Sequence, residues 1–399
     1  MEFVSYRSVK FASSAPVALI GGILRFGTYN MVILSLFDGM SCGQIALKEL
    51  GVTIDKYYAS EIDKFAIQNT MANFPDTVQL GDVRQVEAKS LGKIDLLIGG
   101  SPCQCFSFAG KRAGMSTKSK EQIETLTRYL ELKQQGFEFE GQSYLFWEYV
   151  RILNELREAN PNILFMLENV EMGKRWEAVI NEALGIVGVH INSALVSAQV
   201  RKRIYWTNIK LAQCDLFGLP HSAIPQPTDR HIFIKDILQD EVDEKYFLSP
   251  EYVEKLLAYN QRPRGKNKGT INTEKSPTLS ANSWQQNNLL VSKPKDGIKQ
   301  INPSRESGGT QPYQQNRVYA ADGKSPALMN GHGGQTINAL VGGLQVRRLT
   351  PTECARLQTI PKWYKWEVSE TQQYRMLGNG WTVEVIKHIL SFLPDHLKK

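Results

Sequence analysis

"MVILSLFDGMSCGQIALKELG", residues 31–51, begins as a short, wholly apolar run, turns through Asp38 to Gly43, and continues with helical spacing. An unbroken apolar strand, a glycine-bearing turn and a helix form the opening unit of a buried parallel sheet. The unit recurs in "KYYASEID" before "KFAIQNTMANF", in "KIDLLIGG" (93–100) before "SPCQCFSFAG", and in "NILFMLENV" (162–170) before "EMGKRWEAVINEAL". Strands alternating with helices predict a doubly wound α/β domain with a mostly parallel sheet. Ligands of such sheets sit outside the carboxyl ends of the strands. The segments "DGMSCG", "SEID", "GDV", "GGSPCQ" and "LENV" all fall there.

The rest of the chain is read outward from that unit. Its 399 residues are 42% hydrophobic and 22% charged, enough for one large domain and a smaller one, and not the composition of a disordered chain. Residues 116–142 form a polar excursion with a predicted helix at 120–135, ahead of the amphipathic "YLFWEYVRILNELREA". From about residue 210 apolar periodicity weakens, and it returns at "VRRLTPTECARLQTIP" (346–361). The organisation expected is an N-terminal extension (1–30), a first domain (31–209), an inserted loop-rich module (210–345) and a return to the first domain (346–399). The insert holds an imperfect repeat, "NTEKSPTLSAN" (272–282) and "AADGKSPALMN" (320–330), each with Lys-Ser-Pro-x-Leu. Residues 15–24, "APVALIGGIL", are too few to span a bilayer, and no membrane association is expected.

The net charge is +7, and residues 255–324 carry twelve Lys/Arg against four Asp/Glu. A solvated loop-rich surface accounts for such an excess, and so does a face that displaces counterions from a phosphate backbone. Five cysteines (42, 103, 105, 214, 354) form an odd, sparse set, which favours free thiols in a reducing cytoplasm. The Cys103-x-Cys105 pair lacks the two-residue gap of zinc half-sites and redox motifs, and no metal is expected. Burial is the plain alternative for any free thiol. Cys103, however, follows "GGSP" at the end of an apolar strand, so its thiol should face the cleft, where cationic neighbours could lower its pKa from ~8.5.

The first turn has neither a dinucleotide fingerprint nor a phosphate-binding Gly-Lys-Ser/Thr. It suits a nucleoside, with Glu61 placed to hold ribose hydroxyls and Asp82 to accept from an adenine amino group. An acid at a strand end is often only a solvated cap, but three such positions together point to an adenosine-type cofactor such as S-adenosylmethionine. Glu168 closes an apolar strand, where a poorly solvated carboxylate is poised to share a proton. "QVRKRIYW" (199–206) alternates Gln199, Arg201, Arg203 and Tyr205 on one face of a predicted strand.

Taken together, these segments resemble the C5-cytosine DNA methyltransferases in order, from residue 32 to about 392. "LSLFDGMSCGQIAL" resembles that family's cofactor loop, "SEID" its ribose acid, "GDV" its adenine contact, and "GGSPCQCFSFAG" its nucleophile loop. "ENV", "QVRKR", "RRLTPTECARLQTIP" and "GNGWTVEVI" resemble its remaining motifs. The resemblance implies a Rossmann-like class I methyltransferase domain with an inserted target-recognition domain. It implies S-adenosyl-L-methionine contacts at Phe37, Asp38, Gly39, Glu61, Ile62, Asp82, Val83, Pro102 and Asn379. Cys103 would attack C6 of a cytosine flipped out of the duplex, while Glu168 contacts N3 and the exocyclic amine. Arg203 would bind O2, Arg201 would support the nucleophile loop, and Gln104, Ser107 and Gln199 would meet DNA. The implied partner is double-stranded DNA, with a cognate restriction endonuclease not required and the enzyme a monomer. Where many relatives have alanine and glycine, the first turn here carries Asp38, Met40, Ser41 and Cys42. Two other readings stay open: a tRNA cytosine methyltransferase, and an inactive DNA-binding regulator on the same scaffold.

Overall fold

The computed structural model describes residues 30–102, 115–212, 218–247, 318–320, 324–326, 338–340 and 346–398. In chain order the first strands are β1 (Met31–Leu36), β2 (Ile54–Ser60), β3 (Val78–Gln79) and β4 (Leu96–Gly100). There follow β5 (Ser116–Thr117), β6 (Phe139–Glu140), β7 (Leu164–Val170), β8 (Val189–Asn192), β9 (Gln199–Val200) and β10 (Lys202–Thr207). Seven of them build one sheet in the order β3-β2-β1-β4-β7-β10-β8. All its pairings are parallel except those of β10, which runs antiparallel to both β7 and β8. The doubly wound, mostly parallel sheet expected from the sequence is therefore present. The strand order reverses between β1 and β4, which makes that edge the switch point where a cleft opens.

Continuous apolar strands are needed because both faces of the sheet are covered. Ile33, Ile98, Met166 and Tyr205 face one core, and Leu34, Leu97, Phe165 and Ile204 face the other, as the two-residue period of a strand requires. Alternating with these strands are helices α1 (Cys42–Glu49), α2 (Lys64–Asn73), α3 (Leu126–Gln134), α4 (Phe146–Ala159) and α5 (Lys174–Leu184), and near the C-terminal end come α6 (Pro351–Leu357), α7 (Glu370–Asn379) and α8 (Val383–Leu390). Ile45, Ala46 and Leu47 of α1 share the first core with Val383, Ile386 and Ile389 of α8. Tyr149, Ile152 and Leu153 of α4 and Ile180 of α5 fill the second. Helix α6 starts where "LTPTE" says it should: Thr350 caps the Glu353 amide, Glu353 returns a bond to the Thr350 amide, and Pro351 occupies the first turn.

The 116–142 excursion folds down onto α4, with β5 and β6 pairing antiparallel. Its Tyr129 hydroxyl and Lys133 ammonium both bond the fully buried Glu148 at 2.5 Å, and Arg151 completes the shell at 2.7 Å. A carboxylate that deep is tolerable only with such partners. Arg151, on α4, also donates to the carbonyls of Val83 (3.4 Å) and Val86 (3.0 Å), so α4 braces the turn after β3.

Of the later strands, β11 (Leu211–Ala212) pairs with β12 (His221–Ser222), and β13 (Val318–Ala320) lies beside β15 (Asn338–Leu340) and then β16 (Val346–Arg348). The two-residue β14 (Ser325–Pro326) runs parallel to β9. Residues 218–247 cross the first core, where Ile224, Ile234 and Ile237 are buried. The "QVRKRIYW" segment is two strands rather than one, because Arg201 breaks the ladder between β9 and β10. Among the described residues no helix is long and apolar enough to cross a membrane. Residues 1–29, Cys103, Gln104, Cys105, Ser107, Cys214, the 272–282 repeat and most of the basic insert lie outside the described residues.

Candidate active site

The turn after β1 is wound tightly: Phe37, Gly39 and Ser41 all have positive φ, at 58°, 58° and 63°. Two of these are not glycine, and holding a side-chain-bearing residue there costs about 1–3 kcal/mol, a strain typical of ligand-binding turns. The turn is held from the next strand. Glu61 accepts from the Gly39 amide at 2.8 Å with one oxygen, and from the Ile62 and Asp63 amides at 2.7 and 2.9 Å with the other. Beside it Ile62 is 66% exposed, an apolar side chain standing open at a strand end. Asp82, after β3, is gripped by the Arg84 guanidinium and accepts from the Arg84 amide at 2.9 Å. That bond to Arg84 holds its carboxyl below the usual range. Val83 begins the short 3-10 turn that follows and is buried.

Asp38 is the unusual acid. Its Oδ1 accepts from the Tyr57 hydroxyl at 2.8 Å, while Oδ2 is buried without a hydrogen-bond partner. Burial pushes its pKa up to about 6 against the pull of the nearby Ser35, Ser41 and Tyr57 hydroxyls, with Glu61 adding to the rise. A buried carboxylate with an empty lone pair is matched to a cation. S-adenosylmethionine carries both an α-ammonium and a sulfonium, and its adenosine would cover Ile62. The orphaned Asp38 oxygen and the bare Ile62 both fit that cofactor.

The second half of the cleft is built around Glu168, on β7 and 8% exposed. Its Oε1 lies 3.0 Å from Arg203 Nε, and its Oε2 accepts from Trp381 Nε1 at 3.1 Å. The β4–β7 register sets Gly100 opposite Glu168. Only glycine fits there, since a Cβ would fall 2.8 Å from Trp381 Nε1 and 3.2 Å from Glu168 Oε2. Asn169, the next residue on β7, donates to Ser101 at 3.0 Å (Oγ) and 3.2 Å (carbonyl), which fixes the Ser101-Pro102 turn. The chain therefore leaves β4 at Ser101-Pro102, just after Gly100 has been set opposite the acid.

Arg201 is buried and donates to the carbonyls of Gly378 (3.4 Å) and Gly380 (3.0 Å). Gln358 braces the same turn through the Leu377 and Gly380 carbonyls, at 2.6 and 3.1 Å. The turn presents Asn379 to solvent and Trp381 to Glu168. Gln199 is 0% exposed, and neither of its amide atoms has a hydrogen-bond partner among the described residues. The structure thus gathers Phe37, Asp38, Gly39, Glu61, Ile62, Asp82, Val83, Pro102, Glu168, Arg201, Arg203 and Asn379 at one end of the sheet, with Gln199 buried behind. Sequence reasoning missed Tyr57, Asn169, Gln358 and Trp381. Each acts through a long-range bond that spacing does not signal, although Trp381 stands inside a quoted motif. Among the described residues no His/Cys/Asp/Glu group is placed to hold a metal.

A family described as "C-5 cytosine-specific DNA methylase" matches residues 31–393. The orphan methyltransferase M.SPRI of Bacillus phage SPR is 27% identical, over 90% of this chain and 97% of its own. The type II methyltransferase M.HhaI of Haemophilus parahaemolyticus is 26% identical, over 89% of this chain and 92% of its own. Among solved structures, a DNMT2 mutant from Spodoptera frugiperda superposes with a TM-score of 0.57 at 16% identity, covering 91% of this chain and 99% of that one. This last likeness bears on the fold alone.

Proposed function

The chain belongs to the C-5 cytosine-specific DNA methylase family, and from that membership we propose that it methylates C5 of a cytosine flipped out of a specific duplex DNA sequence. The family implies S-adenosylmethionine as methyl donor. The observation that carries the finer reading is Glu168, held between Arg203 at 3.0 Å and Trp381 at 3.1 Å, with Gly100 at the end of β4 in register opposite it.

In this reading the Cys103 thiolate adds to C6, forming an S–C6 bond while the C5=C6 π electrons shift to C5. Glu168 meets N3 and the exocyclic amine, where charge develops, and Arg203 serves both Glu168 and the O2 edge. The cofactor supplies an electrophilic methyl group. After transfer the C5 proton leaves, its electrons restore C5=C6, and Cys103 departs as thiolate. Covalent catalysis of this kind divides one hard step into two. The base must leave the stack first, since C6 is out of reach in a duplex. Asp38 would pair with a cationic group of the cofactor, Glu61 with its ribose, and Asp82 with its adenine amine, displacing Arg84. The inserted module (210–345), with its basic surplus, would meet the phosphates and base edges of the target. Modification of DNA beside a restriction endonuclease, or without one, fits relatives named as type II and orphan methyltransferases.

The test offers labelled S-adenosylmethionine with duplex DNA and, separately, tRNA, together with a duplex carrying 5-fluorocytosine. Transfer to duplex DNA and a trapped adduct are expected. Both should vanish in Cys103→Ala while cofactor binding persists, and Cys105→Ala should be mild. Transfer to tRNA alone would overturn the substrate. No transfer and no adduct with any nucleic acid would leave only a DNA-binding regulator.

A further inference from the structure

The second Lys-Ser-Pro-x-Leu copy, at 324–328, has no part in the chemistry above, yet its lysine is among the most deliberately placed in the molecule. Lys324 is 6% exposed. Its ammonium donates to the carbonyls of Ala194 (2.8 Å), Ser197 (3.3 Å) and Ile232 (2.7 Å), and it lies 5.1 Å from the centre of the Phe233 ring. A lysine ammonium has three hydrogens, and here three backbone carbonyls take them. Burial pulls its pKa down, while Asp229 and Asp236 oppose that fall.

What the ammonium joins is more telling than how well it is satisfied. Ala194 and Ser197 belong to the bend between β8 and β9, and Ile232 belongs to the segment crossing the first core. The Arg230 amide also donates to Leu195 of that bend, at 2.8 Å. Immediately after Lys324, Ser325 and Pro326 pair in parallel with Gln199 and Val200. The next residues are Arg201, which holds the Gly378–Gly380 turn, and Arg203, which holds Glu168. A segment of the basic insert is thereby tied to β9, from which the chain runs through Arg201 into β10, the strand that bears the acid's partner.

We propose that Lys324 is a positioning residue, a cationic clamp that ties the inserted module to the bend leading into β9 and so couples target engagement to the placement of Arg203 and Glu168. The kinetic half of this inference rests on the DNA-methyltransferase reading, and the clamp itself does not. A lysine that only fills a hole would affect folding. A clamp also governs how well the Arg201–Arg203 segment that follows β9 holds its geometry, where a misplacement of about 1 Å can slow a reaction about 100-fold.

The experiment uses the full-length protein with Lys324→Met, which keeps the stem without the charge, and Lys324→Ala. Three quantities are read: amide hydrogen exchange over residues 193–203, initial methyl incorporation into unmethylated genomic duplex DNA at saturation, and the Kd for S-adenosylmethionine. In Lys324→Met, amides of 199–203 should exchange at least about tenfold faster. Methyl incorporation should fall about 100-fold, with the cofactor Kd within about twofold of wild type. Adding n-propylammonium should restore part of both protection and rate in Lys324→Ala, where the stem is gone, and neither in Lys324→Met. A lowered melting temperature with wild-type exchange over 199–203, and a wild-type rate per folded molecule, overturns the proposal. Should Lys324→Met not fold, Lys324→Arg decides by the same readings. Its planar fork cannot meet three converging carbonyls, so wild-type exchange and rate in that variant would overturn the clamp. If the wild-type protein transfers nothing to duplex DNA, the functional reading fails, and the exchange data still decide whether the clamp exists.

Discussion

Two acids at the same end of the sheet sit in opposite circumstances. Glu168 has a donor on each oxygen, a guanidinium on one side and an indole on the other. Asp38 has one donor on Oδ1 and none on its sealed Oδ2. On the proposed function, the half of the cleft around Glu168 would be preorganised by the protein's own groups, with little left to rearrange when charge develops. The half around Asp38 leaves a carboxylate incomplete, which the proposed cofactor would complete. One half would then be set for reaction and the other for capture.

The comparison breaks most violently at Arg203. Arg203→Met would leave Glu168, only 8% exposed, with the indole alone. Removing one partner of such a buried pair destabilises a fold by about 3–5 kcal/mol. Loss of a preorganised group at the reacting base should slow methyl transfer about 1,000-fold. The measurements are incorporation at saturating DNA and the urea midpoint, and a rate within tenfold of wild type would mean that Glu168 does not depend on this pair.

Asp38 predicts the reverse sign for stability. Its folded pKa of about 6 lies above that of an exposed aspartate, so the native state keeps a proton that the unfolded chain releases. Stability from this group is full below about pH 4 and declines as pH rises towards 6. At pH 7 Asp38→Asn should raise stability by up to about 3 kcal/mol, the equivalent of that shift. The same change should weaken S-adenosylmethionine binding about tenfold or more. Cofactor affinity of the unaltered protein should tighten as pH rises through 6, as the carboxyl ionises to meet a cation. Calorimetric titration at pH 5, 6 and 7 checks this, and a flat affinity profile would remove Asp38 from the cofactor's cationic side.

Trp381 sharpens the contrast with a smaller change. Trp381→Phe keeps an aromatic ring against Gly100 and removes only the N–H that reaches Glu168 Oε2. One hydrogen bond to a charged group contributes about 1.5–3 kcal/mol, so transfer should slow about ten- to 100-fold, less than for Arg203→Met. An equal loss in the two variants would show that the ring, rather than its hydrogen, positions the acid.

How legible all this was in the chain follows from what each feature depends on. The strands and helices of the sheet declare themselves through local periodicity: "MVILSLF" contains β1, "KFAIQNTMANF" contains α2, and "NILFMLENV" contains β7 within a few residues. The acids are legible because they end those strands. Their partners are not, since Trp381 meets Glu168 across 213 residues and Lys324 meets Ala194 across 130. Pairings of that range come from topology, which single-chain periodicity does not encode. The break at Arg201 was invisible for a related reason. Alternation predicts one strand face, but Arg201 is drawn out of the ladder by the carbonyls of a turn nearly two hundred residues away.

The smallest predicted effect concerns a cysteine close to the chemistry that should do none of it. Cys42 opens α1 beside the Asp38 turn, and a Cβ on Gly380 would come within 3.3 Å of its sulfur. Proximity alone would make it a rival nucleophile. Burial, however, pushes its thiol up to about 12, with Asp38 and Glu168 adding to the rise and Arg201 and the Trp381 backbone only partly offsetting it. A thiol that remains protonated at neutral pH is a poor nucleophile, since the thiolate is the reactive form. Cys42→Ala should therefore leave the transfer rate within about twofold, with its effect confined to a modest loss of packing. Iodoacetamide at pH 8 should leave residue 42 unmodified in the folded protein and alkylate it in urea. Rapid labelling of the folded chain at Cys42 would place a second reactive thiol in the cleft and weaken the assignment of the reaction to residue 103.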